Sequence, residues 1–277
     1  MKLGLLQTKH NRMCDFLGGE LVAAPAERAA LQQDQQARNF ALLEQAAGAG
    51  FDLLVTTECI NYLRPVAGDY AACAAAYPAL DDAPVRRLAA AAKAAGSWLV
   101  AGLGCQVDGK AANAALVFDR AGALVQVYRK LHLAGDECLS FAPGNAFGLQ
   151  DTEFGRVGIC ICWDMQFPET ARTLACKGAD LIVCPTWGWE GDLYGRARAY
   201  ENGVYVAAAM AVPGWGDITA PRTPSSVVGP QGQYLAMASA TQPELLACVF
   251  DPKDCAPTRT MRLSGRRPAL YTALTEG

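Results

Sequence analysis

The stretch Gly158-Ile159-Cys160-Ile161-Cys162-Trp163-Asp164-Met165-Gln166-Phe167-Pro168-Glu169 places a thiol at the boundary between two kinds of periodicity. Val157, Ile159 and Ile161 alternate at period two, the pattern of a buried strand. Pro168 and Glu169 then open a helical pattern that carries Ala171, Leu174 and Ala175 on one face before Gly178 stops it. Cys162 is expected at a strand-to-helix turn, where the positive end of a helix favours thiolate over thiol and lowers a pKa of about 8.5. A cysteine on a strand is as often a small core residue as a nucleophile. The segment by itself leaves both readings open.

A nucleophilic thiol needs a base, and histidine is the usual one. The chain has only His10 and His132, and nothing catalytic surrounds His10 in sequence. Neither Gly-x-Ser-x-Gly nor His-Glu-x-x-His occurs, which removes the commonest serine hydrolase and zinc protease signals. Gly102-Leu103-Gly104 lacks the third glycine of a dinucleotide loop. Two other charged residues leave strand-like runs for loops. Glu58 follows Leu53-Leu54-Val55-Thr56-Thr57, and Lys130 lies within Val127-Tyr128-Arg129-Lys130-Leu131-His132-Leu133. Taken singly, the glutamate is as readily a surface charge, and a lone lysine is ordinarily solvated.

Composition narrows the class of partner. A chain of 277 residues with 52% hydrophobic and 18% charged residues is globular. Its net charge of −3 carries no basic footprint for nucleic acid or a membrane surface, so the expected partner is a small molecule. Eleven cysteines without paired spacing suggest reduced thiols and a cytoplasmic location, not a disulfide scaffold. Cys160 and Cys162 have no second ligand pair at zinc-like spacing, and neither metal nor cofactor is expected. The apolar run near the N-terminus is too short for a signal peptide, and no stretch reaches the roughly 18 apolar residues of a spanning helix.

The elements that must position these residues follow from periodicity. Strands are expected at residues 2–7, 51–57, 98–103, 157–162, 181–184, 204–209 and 245–250, with hairpins at 115–118/124–128 and 226–228/234–237. Amphipathic helices are expected at 37–47, 84–95, after Pro168 and at 192–202. Residues 11–35 read as irregular, partly helical or a flap, and the tail from about 251 as a wrap over the surface or a partner subunit. Helical crossovers alternate with direct hairpins, so the sheet should be mixed. No repeat or linker divides residues 1–277, which read as a single domain.

A strand-end glutamate, the Tyr128-Arg129-Lys130-Leu131-His132-Leu133 segment and the Cys162-to-Glu169 segment, in that order, resemble the nitrilase superfamily of carbon–nitrogen hydrolases. Further agreement comes from Ala142-Pro143-Gly144, from Cys184-Pro185-Thr186-Trp187, from Arg198, Glu201 and Asn202, and from Arg266-Arg267-Pro268-Ala269-Leu270-Tyr271. Thr57 stands where the family commonly has proline before its glutamate. The resemblance implies an α/β fold, a four-layer α-β-β-α sandwich with mixed sheets, and a Glu58-Lys130-Cys162 triad. It also implies a second glutamate, Glu137, which stands six residues before Pro143, and a homodimer or higher homo-oligomer.

On that reading Cys162 attacks the carbon of a small amide or N-carbamoyl compound, and Glu58 takes the thiol proton and delivers it to the departing ammonia or amine. Lys130 and a backbone N–H, that of Trp163, hold the oxyanion, and Tyr62, Trp163 and Trp187 shape the substrate pocket. Trp163-Asp164 after the nucleophile looks more like amidase and N-carbamoyl amide hydrolase branches than true nitrilases. Gln166 replaces an arginine of several amidase branches, and Thr223 replaces a glycine before Ser225. A nitrile hydrolase with the same triad and a non-catalytic binding protein on the same scaffold are the rival readings.

Overall fold

Alternating branched residues build two six-stranded sheets in the computed structural model, which describes residues 1–11, 13, 24–65, 68–212 and 223–275. The first sheet holds β1 (Lys2–Gln7), β2 (Leu53–Val55), β3 (Trp98–Val107), β4 (Lys110–Phe118) and β5 (Leu124–Arg129), with the last strand, β12 (Glu244–Val249), beside β1. The second holds β6 (Gly148–Thr152), β7 (Gly155–Ile159), β8 (Leu181–Thr186), β9 (Tyr205–Met210), β10 (Ser226–Val228) and β11 (Tyr234–Met237). Each is mixed. The runs β1-β2-β3 and β7-β8-β9 are parallel, and antiparallel partners flank them.

Parallel neighbours need crossovers, and the helices supply them. Helix α1 (Pro25–Ala46) joins β1 to β2, and α2 (Tyr70–Ala75) and α3 (Ala83–Ala95) precede β3. The short α4 (Glu137–Ser140) follows β5, α5 (Pro168–Cys176) joins β7 to β8, α6 (Arg196–Asn202) joins β8 to β9, and α7 (Ala256–Ser264) follows β12.

Side-chain alternation then sorts the core into three layers of contact. Phe40, Leu43, Val85 and Leu88 of α1 and α3 meet Leu54, Leu99 and Leu116 on the outer face of the first sheet. Leu5, Val55, Val100 and Val117 meet Val157, Ile159, Val183 and Ala207 between the sheets. Leu174, Ala175 and Ala199 of α5 and α6 meet Cys160, Ile182 and Val206 on the far face. The result is the expected α-β-β-α sandwich.

Several boundaries differ from the sequence reading. Helix α1 begins at Pro25, because its first turns are rich in strong helix formers but turn almost no apolar face inward, so periodicity registers only the later part. The rest of the supposed 11–35 flap lies outside the described residues, apart from Asn11, Met13 and Ala24. The segment expected as a helix at 192–202 starts with one wide π turn, Gly191–Gly195, before α6. The tail forms a turn at Pro252–Cys255 and then α7, where Arg259 Nη1 donates to Asp180 Oδ1 at 2.5 Å and to the carbonyl of Ala179 at 2.7 Å.

Candidate active site

Glu58 leaves the end of β2 in a turn that is clamped to β3. The amide of Gly102 donates to Thr56 Oγ1 at 2.9 Å, and that of Ile60 donates to the carbonyl of Gly102 at 3.0 Å. The Asn61 carboxamide exchanges two 2.8 Å hydrogen bonds with the Gly104 backbone, imitating a strand partner. Only glycine permits this closeness at position 102, since a β-carbon there would stand 2.8 Å from Glu58 Cα. The two glycines set aside as a failed dinucleotide motif thus admit the Glu58 turn and, at Gly104, the ring of Tyr77.

Lys130 follows β5, and its backbone is held on both sides. Its amide donates to the Asn113 carbonyl at 2.9 Å, and its carbonyl accepts from Gly144 at 2.8 Å, which gives the Ala142-Pro143-Gly144 segment its place. The side chain is 1% exposed and Glu58 is 3% exposed, so neither charge survives without a partner. Lys130 Nζ lies 2.8 Å from Glu58 Oε1, and 2.9 and 2.7 Å from Glu137 Oε1 and Oε2. Burial opposes the ammonium, but the carboxylates of Glu58 and Glu137 outweigh it and hold Lys130 well above the usual lysine range. Burial and the nearby Glu58 charge push the Glu137 carboxyl up, against the pull of Lys130.

A further residue binds the same cluster. Asn113, at the middle of β4 and 2% exposed, donates from Nδ2 to Glu58 Oε1 at 2.8 Å and to Glu137 Oε1 at 2.9 Å. Its Oδ1 is buried without a partner among the described residues, an arrangement that ordinarily costs about 1–3 kcal/mol. Sequence reasoning missed it. The available signal was a lone amide within the apolar run Ala111-Ala112-Asn113-Ala114-Ala115-Leu116.

Cys162 comes from the second sheet. Strand pairing reaches Cys160, whose amide donates to the Val183 carbonyl at 3.1 Å, and the backbone then swings to a left-handed φ of 44° at Cys162. Cys59, next to Glu58, has a matching φ of 42°. Such conformations cost about 1–3 kcal/mol at a non-glycine residue and persist where the surroundings fix them. Here Asp164, fully buried, does the fixing: it accepts from the Ile161 amide at 2.9 Å, Tyr128 OH at 2.6 Å and the His132 amide at 2.9 Å, and lies 2.8 Å from His132 Nδ1. Arg198 holds the other end of the turn through the carbonyls of Met165, at 3.2 Å, and Gln166, at 3.0 Å.

The expected thiolate is not found. Burial, and next the Glu58 charge, push the Cys162 thiol up to about 12, with Lys130 and a hydrogen bond involving Thr186 opposing. The helix that was to lower it, α5, begins only at Pro168, and Cys162–Gln166 is a single tight turn. A resting thiol beside a carboxylate therefore takes the place of a dipole-stabilised thiolate.

Glu58, Lys130, Glu137, Asn113 and Cys162 all line one cavity of about 720 Å³. Tyr62 and Trp187 line it too, their rings edge to face at 4.9 Å. Trp187 crosses from the second sheet to Glu58, with its amide 3.2 Å from Oε2 and its indole N–H 2.5 Å from the Glu58 carbonyl. His10 packs against the Trp187 ring at 4.8 Å. Trp163 is placed elsewhere: it is 42% exposed, and its side chain is not part of the cavity wall. Arg64 is part of that wall, and among the described residues no hydrogen bond or ion pair engages its guanidinium. Gln166 does not reach the cavity, and Thr223 is spent on the Gly191 amide, which donates to its Oγ1 at 2.9 Å. The loop from Gly214 to Arg222 lies outside the described residues. Among the described residues no group of three or more histidine, cysteine or acidic side chains is arranged to hold a metal ion, and the described cysteines are unbridged.

This geometry, acid and cation from one sheet and sulfur from the other, defines a class that comparison makes explicit. The model of the carbon–nitrogen hydrolase family matches residues 25–260. A Pseudomonas protegens protein named a hydrolase in the pqqF 5' region is 36% identical over 72% of each chain. The mouse omega-amidase NIT2 is 32% identical over 87% of this chain and 92% of its own. A solved mutant of the amidase from Nesterenkonia sp. AN1, carrying the product of Michael addition of acrylamide at its active-site cysteine, superposes with a TM-score of 0.73 at 25% identity over 99% of both chains. The chain belongs to the carbon–nitrogen hydrolase family, within the nitrilase superfamily that its motifs resemble.

Proposed function

We propose that the protein hydrolyses the C–N bond of a small amide through a covalent intermediate on Cys162. The observation that carries this reading is the convergence of Glu58, Lys130 and Cys162 on one cavity from three strand ends. Glu58 takes the thiol proton as sulfur adds to the amide carbon, then delivers it to nitrogen as ammonia or an amine departs. Glu137 straddles Lys130 Nζ with both oxygens, so one N–H serves the pair and another is left for the developing oxyanion. Water, deprotonated by Glu58, then cleaves the thioester and the thiol regains its proton.

The leaving side can equally be the nitrogen of an N-carbamoyl group. A nitrile hydrolase reading has one similar protein named a probable nitrilase behind it, whereas omega-amidases, a citrullinase and a solved amidase favour amide and carbamoyl substrates. Arg64, in the cavity wall and with no ion-pair partner among the described residues, favours amides whose acyl part bears a carboxylate. Tyr62 and Trp187 shape the apolar part of the pocket. The unbridged thiols support a reducing, cytoplasmic setting. Exposed Met261, Leu270 and Leu274 support a homo-oligomer with partners meeting near the tail, a state that light scattering reads directly.

The test is ammonia release and intact-mass detection of an acyl adduct across amides, carbamoyl compounds and nitriles, each with and without a carboxylate. Cys162→Ala should abolish turnover, by on the order of 10⁴-fold or more, while leaving the fold intact. Turnover retained by that variant would remove the mechanism. Equal kcat/KM for neutral and carboxylate-bearing amides would remove the role of Arg64.

A further inference from the structure

We propose that Asn113 is a positioning residue of the reaction: from one nitrogen it holds Glu58 and Glu137 ionised around a single lysine and leaves Oε2 of Glu58 as the oxygen that takes the thiol proton. The inference rests on the amide-hydrolase reading above. Two carboxylates that share a site drive one of them to take up a proton unless opposite charge or donors intervene. Here one ammonium faces two carboxylates, and every N–H···O contact of Lys130 Nζ is made with them. The other groups against the pair, the Cys162 and Cys184 thiols and the amides of Trp187 and Ala134, add no cation, and Arg64 and Asp136, opposite charges on the same cavity wall, make no hydrogen bond or ion pair with either carboxylate among the described residues.

Asn113 supplies the missing donors without adding charge. Glu58 Oε1, Lys130 Nζ, Glu137 Oε1 and Asn113 Nδ2 close a four-membered ring whose sides are 2.8, 2.9, 2.9 and 2.8 Å. Both hydrogens of the carboxamide are used, one on each glutamate. The reverse orientation is excluded by charge, since it sets the carboxamide oxygen against two carboxylates. That requirement also explains why Oδ1 is left buried with no partner.

The ring makes the two oxygens of Glu58 unequal. Oε1 accepts from two strong donors, whereas among the described residues Oε2 accepts only from the Trp187 amide, at 3.2 Å. Oε2 keeps a lone pair, and the catalytic proton travels through it. As the S–C bond forms the S–H proton passes to Oε2; as the C–N bond breaks it passes to nitrogen. The water that cleaves the thioester gives one proton to Oε2 and its hydroxide to the acyl carbon, and Oε2 returns that proton to sulfur.

The experiment measures alkylation of Cys162 by acrylamide as a function of pH, read at the Cys162 peptide by mass spectrometry, beside kcat/KM for an amide substrate. Asn113→Leu and Asn113→Ser remove donors, and Asn113→Asp is isosteric but adds a third carboxylate. The expected result is an acid limb moved to higher pH by about one unit or more in the Leu and Ser variants, with near wild-type rates on the alkaline side. The Asp variant is expected to be slowest, by about a hundredfold at neutral pH, despite its native shape. An unmoved limb with a uniform loss at every pH overturns the proposal, as does an Asp variant that matches wild type. Failure of all three variants to fold overturns it too, because it reduces Asn113 to a stability role. Alkylation requires no turnover. A wild-type protein that hydrolyses no amide yet shows the expected limb shift would sink the hydrolase reading alone.

Discussion

At the scale of single residues, the proposed mechanism turns on Cys162, its nucleophile, being pushed toward the neutral thiol. Burial and the Glu58 carboxylate both raise it, to about 12, so at neutral pH reaction depends on handing the proton to that same carboxylate. Glu58→Gln removes the acceptor but leaves the burial, the larger cause. Alkylation of Cys162 at pH 7 is then expected to fall by about a hundredfold or more and to keep rising with pH, with no plateau near neutrality. A rate profile like that of the wild type would show that Glu58 is not the base. The sign of the linked stability follows: the folded state favours the neutral thiol, so its contribution is full below the ordinary thiol value of 9.0 and is lost as pH rises toward about 12. Thermal melts should therefore weaken through that window, and less so for Cys162→Ala.

At the scale of elements, each side chain of the proposed triad leaves a strand end through a turn that something else pins. Gly102 pins the Glu58 turn by lacking a side chain. Gly102→Ala brings a methyl within 2.8 Å of Glu58 Cα and 3.0 Å of the Cys59 amide, backbone that has no rotamer to yield. A loss of about a hundredfold in kcat with an unchanged circular dichroism spectrum is expected, since displacements of order 1 Å cost that much. Retained kcat would show that the turn is held from elsewhere. Lys130 and Cys162 are tied to each other as well: His132 and Asp164, each two residues beyond its catalytic neighbour, meet at 2.8 Å. This scale also shows what sequence could convey. The strand-to-loop exits at Glu58, Lys130 and Cys162 were legible because local periodicity ends there. Asn113 was not, because an amide in a strand acquires its meaning only from two glutamates that are 55 and 24 residues away. The thiolate expectation failed for a similar reason: the helix starts at Pro168, as its periodicity indicated, but too far from Cys162 to offset burial, and burial leaves no trace in a local motif.

At the scale of the molecule, the sheets share the core on which the site depends. Leu5, Val55 and Val117 from one pack directly on Val157, Ile159 and Val183 from the other. We propose on this basis that residues 1–277 form one domain. Unfolding by urea should then give a single transition in which far-UV signal, tryptophan fluorescence and turnover coincide. Two separated transitions would divide the chain. The mixed sheet and much of the order of elements were readable because crossover helices and hairpins leave distinct punctuation, whereas the four-layer arrangement came from the family resemblance. The pairing of β12 with β1, across more than 200 residues, was not, because register between distant strands is written in no local pattern.

The order of the strands has one more outcome. All the charged residues that line the cavity precede β6, and the Cys162 sulfur follows it. An interruption in the link between β5 and β6 distributes the chemistry over two pieces, each inert by itself, so any turnover recovered on mixing them counts the reunited pairs.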